Sequence, residues 1–281
     1  MNGLEYAIDL IIARAKETAN IVAGDYVGED NLYYCGKCHT RKQTAFQLFG
    51  EQKIAPCICQ CRADELKAEE EARKQRELFN KIMKMRHVGF PEKAMTAWTF
   101  ENDDGSNPKM SNAMRKFVEN FPTFRREGKG LLLFGTVGTG KTFLAACVAN
   151  ALIDSGVPCL VTNFARIANE VQGMFAGKQE YYDNFNKFPL LVIDDLSAER
   201  KTEYMQEIVF NVIDARYRAN LPLIVTTNLT REELLHPSDL SYQRIFSRLF
   251  EMCTPIEVSG ADRRQKVLKD DIGKYKNLLE L

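Results

Sequence analysis

Short apolar runs separated by longer mixed stretches dominate the second half of the chain. Between the runs lie stretches whose apolar positions recur with helical spacing, such as FLAACVANALI after residue 142. Strands that alternate with helices predict an α/β fold, in which a parallel five-stranded sheet carries helices on both faces. Five runs have strand length: GLLLF (130–134), PCLVTNF (158–164), PLLVIDDL (189–196), LPLIVTTNL (221–229) and TPIEVSG (254–260).

The first part of the chain follows a different pattern. Its opening residues, MNGLEYAIDLIIARAKETANIV, predict an amphipathic helix and lack the basic start of a signal peptide. Residues 62–87 are rich in charge and predict an exposed helix, which serves as a spacer or as a partner-binding surface. The apolar face of the first helix consists of Leu4, Ala7, Ile8, Ile11 and Ile12, and the second helix offers the pairs Glu69–Arg73, Glu70–Lys74 and Glu77–Lys81.

Composition and charge describe an ordinary globular protein. The 281 residues are 45% hydrophobic and 27% charged, and the formal net charge is zero. A neutral chain has no general attraction to nucleic acid or to acidic lipid, so any such contact needs a local patch. No apolar run approaches the ~18 residues of a membrane span. We therefore expect a cytosolic location, where the eight cysteines stay reduced.

The stretch FGTVGTGKTF (134–143) fits the phosphate-binding pattern G-x-x-x-x-G-K-[ST]. Its glycines leave backbone N–H groups free to surround a phosphate, and the helix that follows favours negative charge at its start. Lys141 would reach the β- and γ-phosphates, and the Thr142 hydroxyl would bind Mg²⁺. The nucleotide-binding residues predicted here are Gly135, Thr136, Val137, Gly138, Thr139, Gly140, Lys141, Thr142 and Phe143.

Polar residues at two later strand ends complete a predicted ATP site. Asp194 and Asp195 follow four apolar residues, so one carboxylate can hold Mg²⁺ and the other can orient the attacking water. Asn228 ends the next apolar run, where it serves the γ-phosphate or simply a turn. Arg244 and Arg248 lie one turn apart on a predicted helix. By spacing alone, such arginines are more often solvated than functional.

Five cysteines cluster before residue 62, at Cys35, Cys38, Cys57, Cys59 and Cys61. Two close groups on separate segments suit a tetrahedral ion that needs four soft ligands. The first group has zinc-knuckle spacing, whereas the second is C-x-C-x-C, so which four residues bind stays open. His39 is an alternative ligand, and an iron–sulfur cluster or no metal are the alternatives to Zn²⁺. A metal would fold a small module that cannot hold itself together.

The order of these motifs resembles the AAA+ ATPases of the DnaC/DnaI helicase-loader group and the related IstB transposition helpers. GTVGTGKT, LLVIDDL, LIVTTNL, RIFSRLFE and VSGADRR carry the resemblance, together with VGFPEKAMTAWTFEND (88–103). It is most specific over residues 88–264, and the cysteine region is similar to N-terminal modules of prophage members. The domains implied are a partner module (1–61), a linker helix (62–87) and an AAA+ domain (88–281). The cysteine module is expected to be helical.

The resemblance implies roles for individual residues. It makes Lys141 and Thr142 the Walker A pair, Asp194 the Mg²⁺ ligand and Asp195 the residue that orients water. It makes Asn228 sensor 1 and Arg248 an arginine finger that reaches a neighbouring subunit, which implies an oligomer. Arg264 is the best match to sensor 2, with Arg263 as the second choice.

Two departures from the family pattern stand out. Many AAA+ proteins have Glu where Asp195 stands, and the shorter side chain predicts slow turnover. The seventeen residues after Arg264 are too few for a full helical lid, which fits the loader and IstB group.

The implied function is ATP-dependent loading of a DnaB-type replicative helicase onto single-stranded DNA in the cytosol of a bacterial host. The N-terminal module would bind the helicase, and ATP hydrolysis would release it. The alternatives are a transposase helper like IstB and an adaptor whose hydrolysis is vestigial. Aromatic and basic residues alternate over 164–189, where Lys178 and Tyr181 are the candidate DNA contacts and most other aromatics are expected in the core.

Overall fold

The computed structural model describes residues 21–196, 202–237 and 239–263, together with five single positions between 272 and 279. Its internal contacts divide the chain into two units, Met1–Phe79 and Asn80–Leu281. The predicted helix over the opening residues lies outside the described residues.

The first unit contains two small antiparallel strand pairs. Strand β1 (Tyr26–Val27) pairs with β2 (Tyr33–Tyr34), and β3 (Gln43–Leu48) pairs with β4 (Glu51–Pro56). The turn between β3 and β4 contains Gly50, whose φ of 81° suits glycine. The helical character that we expected of this module therefore does not extend to residues 21–59.

A long helix, α1 (Gln60–Gly89), covers the charged stretch predicted as a helix. The expected ion pair between Glu70 and Lys74 forms with a separation of 2.9 Å. Arg73 pairs with Glu77 instead of Glu69, and Glu69 pairs with Arg62. All of these side chains are exposed, so the pairs contribute little to stability.

The second unit is an α/β domain whose five-stranded parallel sheet has the order β6-β7-β8-β5-β9. All five predicted strands are present, and each begins within two residues of the predicted run. The strands are β5 (Gly130–Phe134), β6 (Cys159–Asn163), β7 (Leu190–Leu196), β8 (Leu223–Thr227) and β9 (Cys253–Glu257).

Helices pack on both faces of this sheet, and each face has its own buried cluster. One cluster centres on the helix Lys141–Asp154, which is buried almost all round because it lies between the sheet and the helix Pro108–Glu119. The other joins the opposite face of the sheet to four later helices. In chain order the helices are α2 (Pro108–Glu119), α3 (Phe121–Glu127), α4 (Lys141–Asp154), α5 (Phe164–Gln172), α6 (Lys178–Asn184), α7 (Glu203–Arg218), α8 (Arg231–Leu235) and α9 (Leu240–Met252).

The strand order determines the geometry of the site. Strand β8 lies between β5, which leads into the phosphate-binding loop, and β7, which carries the paired acids. Because the strands are parallel, their carboxyl ends meet at one edge of the sheet. Residues 135–142, 194–195 and 226–228 are thereby brought together.

Candidate nucleotide-binding site

A cavity of about 510 Å³ opens at the carboxyl ends of β5, β7 and β8. Basic, acidic and aromatic side chains from five segments of the domain line it. They are Trp98, Asn102, Asp104, Val137, Gly138, Gly140, Lys141, Thr142, Phe143, Asp194, Asp195, Thr226, Asn228 and Arg263. Most of the predicted nucleotide residues thus surround one cavity, and Gly135, Thr136 and Thr139 lie in the same loop.

The loop between β5 and α4 has the shape that its glycines predict. Gly138 has a φ of 81°, and a Cβ there would lie 1.9 Å from an Asp262 carboxylate oxygen. Lys141 is buried, and its Nζ donates hydrogen bonds to the carbonyl oxygens of Gly135 at 2.9 Å and Thr136 at 2.7 Å. These bonds hold the loop curled around the amine, at the N-terminus of a helix that favours anions.

A hydrogen-bond network orders the paired acids at the end of β7. The β7–β8 pairing is irregular between Ile193 and Leu196, and Asp195 has a left-handed φ of 58°. The Thr226 hydroxyl donates to Asp194 Oδ1 at 2.6 Å and accepts from the Asp195 N–H at 2.8 Å. Asn228 Nδ2 donates to Asp195 Oδ1 at 2.8 Å. This network directs the Asp195 side chain toward the predicted sensor.

The cavity fits a nucleoside triphosphate with Mg²⁺. Thr142 and Asp194 supply the hydroxyl and carboxylate oxygens that Mg²⁺ prefers. Arg263 and Lys141 line the cavity together and place two positive charges where phosphates would lie. The rings of Trp98 and Phe143, 6.2 Å apart, provide an apolar end for a base.

Arg263, the second choice for sensor 2, lies in the cavity wall. Its backbone N–H donates to Gly138 O at 3.0 Å, and its Nη1 lies 3.3 Å from carboxylate oxygens of both Asp103 and Asp104. Arg264 lies outside the described residues. Asp103 could not be predicted from the sequence, because an acid beside a Gly/Ser-rich turn is most often solvated.

Arg248 is not part of this cavity. It lies on α9, where its Nη1 is 2.5 Å from an Asp214 carboxylate oxygen and its guanidinium covers the Phe210 ring at 4.3 Å. Asp214 also pairs with Arg218 at 2.8 Å. Arg248 is therefore held by neighbouring side chains and is not freely solvated, although its spacing alone predicts a solvated arginine. It does not line the cavity of its own chain.

Four of the five clustered cysteines come together in the first unit. The sulfur atoms of Cys35, Cys38, Cys59 and Cys61 all lie within 4.8 Å of one another. Cys57 is exposed, and its Sγ contacts the Arg41 carbonyl oxygen at 3.4 Å. Nδ1 of His39, the alternative ligand, lies 3.3 Å from the hydroxyl of Tyr26.

The surroundings of these sulfurs fit a bound cation. Backbone N–H groups of Cys38 and Lys37 lower the pKa of Cys35, and the Thr40 hydroxyl lowers the pKa of Cys38 to about 5. Hydrogen bonds with the sulfur atoms of Cys59 and Cys38 raise the pKa of Cys61 to about 12. A cation bound by the four sulfurs would replace these bonds and favour the thiolates.

This unit also has very little core with which to fold. Among the described residues 21–59, the buried side chains are those of Leu32, Cys35 and Cys59. The Asp25 carboxylate braces the knuckle by accepting from the Gly36 N–H at 3.1 Å and pairing with Lys42. That pair lowers the pKa of Asp25 to about 2.

The segment between β6 and β7 contains one fully exposed aromatic side chain, Phe175, in the loop before α6. Lys178 is exposed, and its Nζ lies 5.7 Å from the Tyr204 ring centroid. Tyr181 packs against the core and donates its hydroxyl to Glu170 at 2.8 Å. Two other aromatics of the segment, Tyr182 and Phe185, are buried as expected.

This fold and this site define the class of the protein. A parallel sheet in this strand order, with a phosphate-binding loop and paired acids at its carboxyl edge, is the architecture of an AAA+ P-loop ATP-binding protein. The chain belongs to the family of IstB-like ATP-binding proteins, whose model matches residues 59–270, more than half of its length.

The chain is also similar to curated relatives. The replicative helicase loader DnaI of Bacillus subtilis (strain 168) is 28% identical over 181 residues, which cover 59% of this chain and 58% of the relative. The replicative helicase loader DnaC of Escherichia coli (strain K12) is 25% identical over 155 residues, with coverage of 54% and 62%. An insertion-sequence ATP-binding protein of Sinorhizobium fredii is 29% identical over 143 residues, with coverage of 49% and 45%. The chain thus spans less than two thirds of these relatives.

Solved structures agree on the fold. A crystal structure of DnaI is similar with a TM-score of 0.51 and 26% identity, covering 61% of this chain and 96% of that one. A crystal structure of the DnaC helicase loader has a TM-score of 0.50 and 24% identity, with coverage of 60% and 100%. Among the described residues, no helix combines the length and apolar character that crossing a membrane requires.

Proposed function

We propose that this protein is an ATP-dependent loader of a DnaB-type replicative helicase onto single-stranded DNA in the bacterial cytosol. The observation that carries this proposal is the similarity to the loaders DnaI and DnaC, in a chain whose cavity is lined by Lys141, Thr142 and Asp194. The helicase partner, the DNA substrate and the release step are proposed on the basis of that similarity.

The residues of the cavity would act as an ATPase site. Lys141 would exchange its loop carbonyl oxygens for phosphate oxygens, and Thr142 and Asp194 would hold Mg²⁺, which neutralises charge on the phosphates. Asp195 and Asn228, already hydrogen-bonded to each other, would orient the attacking water. Because Asp is one methylene shorter than Glu, we expect slow turnover until DNA or a partner improves this geometry.

Arg248 would act on the ATP of a neighbouring subunit. Its location outside the cavity of its own chain is consistent with a role in trans. Asp214 and Phe210 hold the guanidinium in one orientation, so little side-chain entropy is lost when a second subunit docks. The proposal therefore includes an oligomer with an active site at each subunit interface.

Single-stranded DNA would contact the loop before α6. Phe175 offers a whole ring for stacking on a base, and the exposed Lys178 offers a charge for the backbone. The hydroxyl of Tyr181 is already bound to Glu170, so we expect Tyr181 to support this loop. We assign the base contact to Phe175 on this ground.

The first unit would bind the helicase and hold one Zn²⁺ with Cys35, Cys38, Cys59 and Cys61. Four cysteine sulfurs are a donor set of structural zinc sites, which organise a fold and have no position left for a substrate. Cys57 would remain a free thiol.

A second candidate function is that of a transposase helper. The family itself and the insertion-sequence relative favour it, because both share the ATP-binding region of this chain. An adaptor with vestigial hydrolysis is a third possibility, and the presence of Lys141, Asp194 and Asn228 around one cavity argues against it.

The test is a loading assay with the full chain, the replicative helicase of the same organism and circular single-stranded DNA. We expect the chain to form a complex with the helicase and to increase the amount of helicase on DNA when ATP is present, whereas a Lys141→Ala chain should not. If the chain does not bind the helicase but stimulates DNA binding by a transposase of the same organism, the result supports the helper function instead.

A further inference from the structure

A loop after β9 brings Arg263 back over the phosphate-binding loop. Its backbone N–H donates to Gly138 O at 3.0 Å, and a Cβ on Gly140 would lie 3.0 Å from its guanidinium carbon. The guanidinium also lies 5.7 Å from the centroid of the Phe143 ring. Arg263 therefore rests against the part of the chain where phosphates would bind.

Two acids on the segment before α2 contact this guanidinium. Nη1 of Arg263 lies 3.3 Å from a carboxylate oxygen of Asp103 and 3.3 Å from one of Asp104. The two acids differ in burial, because the Asp103 side chain is 9% exposed and the Asp104 side chain is 43% exposed. Since solvent weakens an exposed ion pair, Asp103 is the stronger partner.

Asp103 is itself fixed in place. The Ser111 hydroxyl in the first turns of α2 donates to Asp103 Oδ2, which leaves Oδ1 for Arg263. Nearby, Asn107 Nδ2 donates to Ser259 O at 3.0 Å and ties the same segment to the loop that carries Arg263. A buried carboxylate, a hydroxyl and an amide thus brace one arginine from behind.

The guanidinium of Arg263 lies in the wall of the cavity, together with Lys141 and Thr142. Its side chain is 18% exposed, so part of it remains accessible. A positive charge beside the phosphate-binding loop favours an anionic oxygen as its ligand. The position beside Gly140 therefore fits a phosphate oxygen of a nucleotide.

We propose that Asp103 is a positioning residue for nucleotide binding, which holds the Arg263 guanidinium in the cavity wall, where it meets a phosphate oxygen. The proposal rests on the proposed ATP site. Asp103 does not contact the nucleotide: it neutralises and orients Nη1, and Ser111 orients Asp103. Removing the Asp103 charge should therefore weaken nucleotide binding only as long as Arg263 is present.

A double-mutant cycle on the full chain tests this dependence. Affinity for a fluorescent mant-ATP is measured with Mg²⁺ for wild type, Asp103→Asn, Arg263→Ala and the double variant. We expect Asp103→Asn and Arg263→Ala each to weaken binding about tenfold, as loss of a charge-assisted hydrogen bond implies. The double variant should bind no more weakly than Arg263→Ala alone.

Controls separate positioning from a general effect on the fold. Asp154→Asn removes another aspartate–arginine pair, that with Arg86 outside the cavity, and should leave affinity unchanged. Asp103→Glu keeps the charge and should restore most of the binding. If Asp103→Asn melts below the assay temperature, Ser111→Ala replaces it, with an expected loss of two- to threefold that also vanishes without Arg263.

Two results would overturn the inference. In the first, Asp103→Asn binds mant-ATP as tightly as wild type. In the second, it weakens binding equally with and without Arg263, which would make Asp103 a structural residue only. A wild-type chain that does not bind mant-ATP would instead refute the ATP site itself, and with it this inference, so the two failures are distinguishable.

Discussion

Thr226 holds both acids of the ATP site through a single hydroxyl group, and its loss provides a direct test of the proposed chemistry. The substitution Thr226→Val keeps the shape of the side chain but removes the donor to Asp194 and the acceptor for the Asp195 N–H. Thr226 is only 1% exposed, so water cannot replace the hydroxyl without rearrangement. Asp195 would also lose one of the bonds that keep it in a left-handed conformation.

The structure allows the size of the effect to be estimated. A hydrogen bond to a charged carboxylate contributes about 1.5–3 kcal/mol, and one between neutral groups contributes about 1 kcal/mol. If both acids move out of position, the two hydrogen bonds together account for about 2.5–4 kcal/mol of lost interaction free energy. If half of this loss appears as a higher activation free energy for hydrolysis, kcat falls about 10- to 30-fold. KM for ATP should change less, because the phosphate-binding loop is untouched.

The assay is steady-state ATP hydrolysis by the full chain with saturating single-stranded DNA, together with thermal melting. Thr226→Ser retains the hydroxyl and should stay close to wild type. Thr227→Val is a matched control, because Thr227 is also buried and its hydroxyl donates to Leu196 O and accepts from the Leu229 N–H. It should lower the melting temperature with a smaller effect on kcat. A Thr226→Val chain with the kcat of wild type would refute the role assigned to this network.

Three further predictions test other parts of the proposal. Cys59→Ser should lose the single Zn²⁺ and become sensitive to proteolysis, whereas Cys57→Ser should keep it, as measured by elemental analysis of the purified chains. Arg248→Ala and Lys141→Ala chains should each lack DNA-stimulated hydrolysis, but an equal mixture should recover part of it. In the mixture the Arg248→Ala chain supplies an intact ATP site and the Lys141→Ala chain supplies the arginine finger. No recovery would argue against a role in trans. Phe175→Ala should weaken single-stranded DNA binding by about 1–3 kcal/mol in a fluorescence titration with ATP present, and unchanged affinity would exclude the stacking role.

The strands of the sheet were predictable because each is a compact apolar run between clear breaks. Residues 130–134 form β5 as predicted, and the four other strands begin within two residues of their runs. The order of the strands was not predictable, since it depends on contacts between residues far apart in the chain. That order places β8 between β5 and β7, and so makes Thr226 a member of the site. A threonine two residues before a strand-end asparagine carries no such signal by itself.

The cysteine cluster shows where a local pattern stops being informative. The spacing C-x-C-x-C left three residues for two ligand positions. The structure separates Cys57 from the other two cysteines of this group. Strand β4 ends at Pro56, and the Cys57 N–H donates to Lys42 O at 2.7 Å, so Cys57 stays beside the β3–β4 hairpin. Cys59 and Cys61 come after this bond, where α1 begins, and there their sulfur atoms approach those of Cys35 and Cys38.

The arginines illustrate the same limit for charged side chains, and they also show what burial adds. No sequence pattern predicts a special role for Arg216. It is nevertheless fully buried and donates to four backbone carbonyl oxygens, those of Phe185, Phe188, Pro189 and Pro222. Burial lowers the pKa of Arg216 to about 9, so the guanidinium stays charged at neutral pH. Its hydrogen bonds connect α7 to the residues that precede β7 and β8.

Arg263 is also partly buried but lies in the wall of a cavity. Arg248 lies over an aromatic ring near the surface, with a carboxylate behind it. We therefore expect these three arginines to differ in function, because the surroundings of each guanidinium differ. Several backbone carbonyl oxygens around a guanidinium indicate a structural role, a position in a cavity wall favours a ligand, and a carboxylate and a ring behind a partly exposed guanidinium favour a partner.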